Sequence, residues 1–423
     1  MPELDAIDWF TDDSIVDDPR PYYAHLNAKP PVCPYPHHGV IAVRGYDEVS
    51  EVYRDHETFS SAIAVTGPFP PLPFEPEGED IDPQIAAHRH LFLMNEHMIS
   101  MDPPEHTDRR SLLARLLTPK RLKESEDFLW GLADRYLDEF IDRGHCELRS
   151  EYAKPYTLLA IADLLGVPEA DHQEFRKQLG AQRPGQFGGP DDDGPIDPLA
   201  FLESWFRTYI EDRRREPRDD VLTGLATATY PDGTLPDVIE PVRVATFVFA
   251  AGQDTTAALL GSCLRILAER PELQQQLRTN RDQIPGFIEE VLRLEGTVKS
   301  TFRLARRPTS LGGVDVPPGT VLLLLNAVAN RDAERFEDPE ELQVERANSR
   351  EQISFGRGVH SCPGGPLARV EVRVSLERFL DHMANIRLSE AEHGPPGDRR
   401  FAYEPTYILR SLKALHLEWD VVE

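Results

Sequence analysis

Phe355-Gly-Arg-Gly358-Val-His360-Ser-Cys362-Pro-Gly364 places a cysteine in a glycine-rich loop immediately before an amphipathic helix. Glycine lets backbone N–H groups approach a bound anion closely, and the positive end of the helix dipole favours a thiolate at Cys362. Phe355 can pack under the sulfur and shield it from water, while His360 can donate a charge-assisted hydrogen bond to a carboxylate. A chance cysteine in a turn explains these neighbours poorly, so the segment predicts a thiolate that binds a metal.

This segment resembles the cysteine loop of the cytochromes P-450, whose pattern is Phe-x-x-Gly-x-His/Arg-x-Cys-x-Gly, and fits it throughout. The resemblance implies a mainly α fold with small β-sheets (α+β), formed by one domain over residues 1–423 around a buried haem b. It implies that Cys362 is the metal ligand and that Phe355, His360 and Gly364 contact the haem. It also implies a monooxygenase reaction, in which one atom of O2 enters an organic substrate and the other leaves as water.

A second motif lies in a long apolar helix predicted over residues 241–269 and reads Ala251-Gly-Gln-Asp254-Thr255-Thr256. An acid beside a hydroxyl is costly to bury in such a helix, so a merely solvated helix face explains the pair poorly. Thr255 can hydrogen-bond a carbonyl one turn back or a water, and Asp254 can relay protons inward from solvent. The resemblance implies that this catalytic pair delivers protons for oxygen activation, with Ala251 and Phe247 facing the substrate.

A third motif, Glu290-Val-Leu-Arg293, places an acid and a guanidinium on one helical face. By itself the pair is weak evidence, because an exposed i,i+3 ion pair is common and contributes only about 0.2–0.5 kcal/mol. The pair resembles the Glu-x-x-Arg motif of the same family. That resemblance implies a buried structural network completed by Arg346.

His106 and Arg110 lie four residues apart in Asp102-Pro-Pro-Glu-His106-Thr-Asp-Arg-Arg110 and therefore share a helix face. Two cationic groups on one face can clamp a carboxylate, although a solvated charge run is the ordinary interpretation of such a pair. The resemblance implies that both residues, together with Arg303, hold the two haem propionates.

Two positions depart from the family pattern. Gly296-Thr297 stands where a Pro-Pro pair is frequent, and Gln352 stands where a histidine often assists a propionate. Because Gly296-Thr297 replaces the Pro-Pro pair, the family pattern does not predict the course of the nearby backbone. Val298 and Thr301 are expected to face the substrate there. The second change is expected to shift haem anchoring towards the other cationic residues.

The composition excludes several classes of protein. The chain has 46 Lys and Arg against 73 Asp and Glu, and a net charge of -27 argues against a nucleic-acid-binding protein. The start of the chain is acidic and no long apolar run follows, so we expect neither a signal peptide nor a membrane anchor. The four cysteines, Cys33, Cys146, Cys263 and Cys362, are dispersed along the chain, which favours a cytoplasmic protein without disulfides.

Two segments are predicted to be mobile loops that select the substrate, residues 61–100 and 183–198. The first contains a run rich in Pro, Gly and acids at 67–83, which predicts irregular structure. The two loops offer apolar rings without a diagnostic charge, at Phe69, Phe74, Phe92 and Phe187. A small, mainly apolar substrate is therefore expected.

Electrons are expected to come ultimately from NAD(P)H through a separate ferredoxin and its reductase, because no flavin or iron–sulfur domain is recognised in the chain. Five basic residues are predicted to form a docking patch for an acidic ferredoxin, namely Arg109, Lys120, Arg121, Arg357 and Arg369. Two alternatives are a peroxide-driven peroxygenase and a non-catalytic haem-binding sensor or scaffold. Neither needs a proton relay, so the Asp254-Thr255 pair disfavours both.

Overall fold

A computed structural model describes residues 4–113, 116–174 and 199–421, and also the backbone but not the side chain of Phe201. The predicted loop at 183–198, with Phe187, lies outside the described residues. The α-helices are α1 (Arg20–Asn27), α2 (Tyr46–Arg54), α3 (Asp82–His88), α4 (Glu105–Leu112), α5 (Pro119–Asp138), α6 (Lys154–Leu165), α7 (Ala200–Arg215), α8 (Val221–Ala226), α9 (Ile239–Glu269), α10 (Pro271–Thr279), α11 (Ile284–Glu295), α12 (Asn326–Ala329), α13 (Gly365–His382) and α14 (Glu390–His393).

The long helix α9 occupies the centre of the protein. It spans 31 residues and packs against α6, α7, α11 and α13. Apolar residues surround most of its circumference, which is the pattern of a helix buried on all sides. The prediction of a central helix over 241–269 is confirmed, with a start two residues earlier.

The strands form small sheets. They are β1 (Val32–Pro34), β2 (Ile41–Val43), β3 (Phe59–Ser60), β4 (His145–Glu147), β5 (Thr301–Ala305), β6 (Thr309–Leu311), β7 (Val314–Val316), β8 (Val321–Leu324), β9 (Met383–Leu388) and β10 (His416–Val421). One sheet has the order β1-β2-β8-β5-β3, the second has the order β4-β10-β9, and β6 pairs with β7. In the first sheet β5 is antiparallel to β8, with Thr301 opposite Leu324. The mainly α fold with small sheets is confirmed.

The C-terminal strand is shorter than its sequence predicts. The pattern of residues 407–419 predicts a strand, but β10 begins only at His416. The preceding residues form bends and isolated bridges, in which Leu409 pairs with Val298 and Leu412 pairs with Tyr403. This turn lies against the end of β5, where the side chains predicted to face the substrate are found.

Residues 67–81 form turns and bends, as the Pro- and Gly-rich composition predicted. The rest of the 61–100 segment contains α3 and short 3-10 turns, and it buries Ile85, Phe92 and Met98. The mobility of this segment stays a prediction. Within the described ranges, no helix combines the length and the apolar character that crossing a membrane requires.

Candidate active site

The loop before α13 presents Cys362. The Cys362 N–H donates to the carbonyl of Phe355 at 2.8 Å, which closes the loop. Gly358 has a φ of 67°, and a Cβ on this residue would lie 2.2 Å from the backbone oxygen of Tyr53 at the end of α2. Only glycine permits this approach, so the loop is fixed against α2. The side chain of Cys362 remains exposed on one side.

Protein packs closely enough around this thiol that desolvation raises its pKa, even though one side of it is open. The backbone N–H groups of Gly364 and Gly365 and the charges of Arg110 and Arg369 oppose this effect and lower the pKa. Donors and positive charge directed at a sulfur are what a thiolate requires. The loop is therefore built to hold Cys362 as an anion once a cation offsets the cost of desolvation.

A cluster of two histidines and two arginines adjoins the cysteine loop. The rings of His106 and His360 lie 4.0 Å apart between centroids. Nδ1 of the first and Nε2 of the second are buried and have no hydrogen-bond partner in the part of the chain that the structure describes. Burial, followed by the nearby charge of Arg110, lowers the pKa of His106 to about 4. Burial, followed by the charge of Arg303, lowers the pKa of His360 to about 2. Both imidazoles are therefore neutral at pH 7.

No acid forms a close contact with the two arginines of the cluster within the described residues, although the charge of Asp102 acts on Arg303 from farther away. Arg303 is only 4% exposed and its guanidinium lies 5.3 Å from the ring centre of Tyr53, while Arg110 donates to the carbonyl of Ser361 at 2.7 Å. Neither arginine forms an ion pair within the described residues. A buried cationic group without a counterion is costly, so this cluster fits a ligand that brings carboxylates. The thiol, the orphaned imidazoles and the unpaired arginines together fit a haem with two propionates.

The side chains of Asp254 and Thr255 on α9 have different partners. The Thr255 hydroxyl donates to the carbonyl of Ala251 at 2.8 Å. Asp254 Oδ1 lies 3.4 Å from Lys154 Nζ and 3.7 Å from Arg149 Nη2, and the Asp254 side chain is 40% exposed. Asp254 therefore lies at the solvent rim between two cations. Sequence reasoning missed both cations, because they precede α9 by far and carry no local motif.

The predicted Glu290, Arg293 and Arg346 contact is present and fully buried. Arg293 Nε donates to Glu290 Oε1 at 2.7 Å, and Arg346 Nε lies 3.1 Å from both carboxylate oxygens. Burial alone would raise the pKa of Glu290, but the hydrogen bonds from the two arginines and from the Gln343 N–H hold it below its usual value. The carboxylate is ionised and shared between two guanidinium groups.

The two departures from the family pattern have structural explanations. A Cβ on Gly296 would lie 2.3 Å from Ser354 Oγ, so the close approach of the segment before Phe355 requires glycine at this position. Among the described residues, Gln352 forms no hydrogen bond to the histidine and arginine cluster: its amide donates to Glu289 Oε2 at 3.1 Å and accepts from the Ser354 N–H at 2.7 Å. This residue supports the cysteine loop.

The residues predicted to face the substrate lie on two elements, α9 and the segment that leads into β5. Ala251 is exposed on α9, and the ring of Phe247 stacks on His97 with centroids 5.9 Å apart. Val298 forms a bridge with Leu409, and the Thr301 hydroxyl donates to the carbonyl of Ala64 at 2.8 Å. Sequence reasoning missed the turn at Ile408 and Leu409, because only the tertiary fold brings it against β5.

Four of the five residues of the predicted basic patch are bonded to other elements of the fold, and the docking role of the patch stays a prediction. Arg109 pairs with Glu240, and Arg369 donates to Glu289 at 3.0 Å. Arg121 donates to the Asp163 carbonyl and Arg357 to the Tyr46 hydroxyl, both at 2.8 Å. The side chain of Lys120 is 87% exposed.

A further basic residue, Arg54, is exposed and lies beside the cysteine loop. Its Cα is 3.2 Å from the position that a Cβ on Gly358 would occupy.

Comparison with known proteins gives one consistent result. The family model described as Cytochrome P450 matches residues 240–384. The structure of Mycobacterium marinum cytochrome P450 CYP150A6 in the substrate-free form is similar, with a TM-score of 0.94 and 56% identity over 100% of both chains. Cytochrome P450 144 of Mycobacterium tuberculosis is 32% identical over 95% of this chain and 89% of its own length. Cytochrome P450 monooxygenase PikC of Streptomyces venezuelae is 30% identical over 95% of this chain and 91% of its own length.

The fold and these similarities define an oxygenase that uses haem and O2. The chain belongs to the cytochrome P450 family.

Proposed function

We propose that Cys362 is the thiolate ligand of haem b in a monooxygenase that hydroxylates, or oxidises in a related way, a small and mainly apolar substrate. The observation that carries this proposal is the position of Cys362 two residues after His360, in one loop that also contributes to the cluster of His106, Arg110, Arg303 and His360. Gly364 contributes to the same site, because its N–H lowers the pKa of the thiol. The thiol would bind the metal of a haem, and the cluster would bind the propionates of the same haem.

The chain would hold the cofactor through two sets of residues. Bound at Cys362, a haem supplies the redox chemistry of O2 cleavage. His106, Arg110, Arg303 and His360 would donate to its carboxylates, which would raise the lowered pKa of both imidazoles. Phe355 would shield the sulfur from water, and the Arg369 guanidinium lies 4.7 Å from its ring centre.

Proton delivery would begin at Asp254. Its carboxylate is partly exposed and lies between Lys154 and Arg149, so it can exchange protons with solvent. Thr255 is the adjacent residue, and its hydroxyl can donate its proton inward and recover one from the Asp254 side. The bond from this hydroxyl to Ala251 fixes its direction between transfers.

The residues that we propose to face the substrate favour an apolar compound. Ala251, Phe247 and Val298 are apolar, and the hydroxyl of Thr301 is already bonded to Ala64. The backbone of Ile408 lies next to the segment that leads into β5, since its carbonyl accepts from the Lys299 N–H at 2.8 Å. A substrate with several polar groups would leave them unpaired against these residues.

Electrons would come from NAD(P)H through a separate ferredoxin and reductase in the cytoplasm. We add Arg54 to the earlier patch as a proposed contact, because it is exposed and adjoins the cysteine loop. A positive side chain at this point would attract an acidic ferredoxin to a protein whose net charge is -27.

We expect turnover to require the electron donors. Apolar compounds would be screened by the shift of the Soret band, and the best one incubated under ¹⁸O2 with NADPH, ferredoxin and reductase. The product should carry one ¹⁸O atom.

A second prediction concerns the ferredoxin contact. Arg54→Glu should slow the reduction of the protein by ferredoxin about tenfold at low salt. Arg387→Glu, on β9, is the matched control.

Two outcomes would contradict this proposal. Equal turnover with hydrogen peroxide alone would identify a peroxygenase. If a compound that binds is converted neither with NADPH, ferredoxin and reductase nor with hydrogen peroxide, the result would favour a non-catalytic haem-binding protein.

A further inference from the structure

Two buried threonines from different elements bond the backbone of α9 on either side of Asp254. The Thr157 hydroxyl, on α6, lies 3.0 Å from the carbonyl of Gln253 and also 3.0 Å from that of Ala153, one turn earlier, so it shares its one proton between them. The Thr297 hydroxyl, in the turn after α11, donates to the carbonyl of Thr255 at 3.0 Å. Thr157 is 0% exposed and Thr297 is 8% exposed. The acid and the alcohol are therefore held by their own peptide groups from two sides.

These bonds are additional to those of the helix. A carbonyl inside an α-helix accepts the N–H four residues later, so a side-chain donor adds a second bond to the same oxygen. The Thr255 hydroxyl adds a further one at the Ala251 carbonyl. Three hydroxyls thus bond the carbonyls of residues 251, 253 and 255, which is the segment that carries the proton-delivery pair.

Thr297 also lies between the turn at residues 408–410 and the segment that leads to the cysteine loop. Its own carbonyl accepts from the Arg410 N–H at 2.7 Å, in that turn. Gly296, its neighbour, is pressed against Ser354, which directly precedes Phe355 of the cysteine loop. A proline, which is frequent near this position in the family, has no hydroxyl and could not make the bond to α9.

We propose that Thr157 and Thr297 are positioning residues that hold Asp254 and Thr255 in the arrangement needed for proton transfer. They would thereby set the share of turnovers that end in product instead of hydrogen peroxide. Both outcomes consume O2, two electrons from NAD(P)H and two protons. In the first, one oxygen atom enters a substrate C–H bond and the other leaves as water; in the second, both oxygen atoms leave as hydrogen peroxide. This inference rests on the proposed function.

The test uses the haem-loaded protein with Thr157→Val and Thr297→Val, each paired with its serine variant. Thr246→Val is the matched control, since Thr246 lies on α9, is 0% exposed, and its hydroxyl has no partner within the described residues. Deuterium exchange of the amides in peptides covering 250–259 should become about fivefold faster in each valine variant, because one buried hydrogen bond is lost. The control should leave exchange unchanged, and serine should restore it.

The second readout is the hydrogen peroxide released per NADPH oxidised, with the screened compound, ferredoxin and reductase. We expect this ratio to rise several-fold in both valine variants and to return towards the wild-type value with serine. Faster exchange with an unchanged ratio would overturn the proposal and leave the hydroxyls a purely structural role. Unchanged exchange would overturn it as well. Failure of the proposed function is distinguishable, because wild type itself would then form no product.

Discussion

Asp254→Asn should lower turnover about 100-fold while leaving substrate affinity and the haem spectrum unchanged, since a positioned acid typically contributes a factor of that order or more. The asparagine keeps the shape of the side chain and its position near Lys154 and Arg149. It cannot take a proton from solvent and pass it to Thr255. The solvent isotope effect on turnover should increase, because proton supply becomes rate-limiting.

Glu404→Gln is the matched control for Asp254→Asn. Glu404 Oε1 lies 3.6 Å from Arg149 Nη1, so this variant removes a carboxylate from the same arginine without touching the relay. We expect its turnover to stay close to that of wild type. A similar loss in both variants would show that Asp254 serves only to balance the charge of Arg149.

Glu290→Gln should destabilise the folded protein by about 3–5 kcal/mol, because it leaves two buried guanidinium groups without their shared counterion. The side chains of Glu290 and Arg293 are 0% exposed, so water cannot replace the lost charge. Arg293 and Arg346 also donate to backbone carbonyls, including that of Glu341 at 2.9 Å and 3.0 Å. The loss should therefore loosen the segment that leads to the cysteine loop and weaken haem retention.

Denaturant unfolding of the haem-loaded protein would measure this loss. Glu124→Gln is the control: its carboxylate lies 3.8 Å from Arg121 Nη1 and its side chain is 51% exposed, so we expect a change of at most about 1 kcal/mol. If the two variants unfolded at the same denaturant concentration, the buried network would not have the structural role assigned to it.

The sequence predicted the features whose chemistry lies within a few consecutive residues. The cysteine loop, the Asp254-Thr255 pair and the Glu290-Arg293 pair have fixed local spacing, and helical geometry places their side chains directly. The apolar character of α9 similarly predicted its central position. These features do not depend on long-range packing.

Contacts between distant elements could not be predicted in this way. Arg149 and Lys154 meet Asp254 only because α6 and the turn before it pack on α9. Arg109 and Arg369 were predicted to belong to a docking patch, and tertiary packing brings Glu240 and Glu289 against them, which offsets part of their charge. In each case the partner lies far away in the sequence, and no local pattern marks it.

The central claim is that Cys362 binds the haem iron as a thiolate, and the most direct measurement is the absorption spectrum of the dithionite-reduced protein under carbon monoxide. Thiolate ligation predicts a red-shifted Soret band that disappears in Cys362→Ala and persists in Cys33→Ala, a free cysteine elsewhere in the chain. An imidazole-like Soret band in the wild-type protein, or a red-shifted band that survives Cys362→Ala, would contradict the claim.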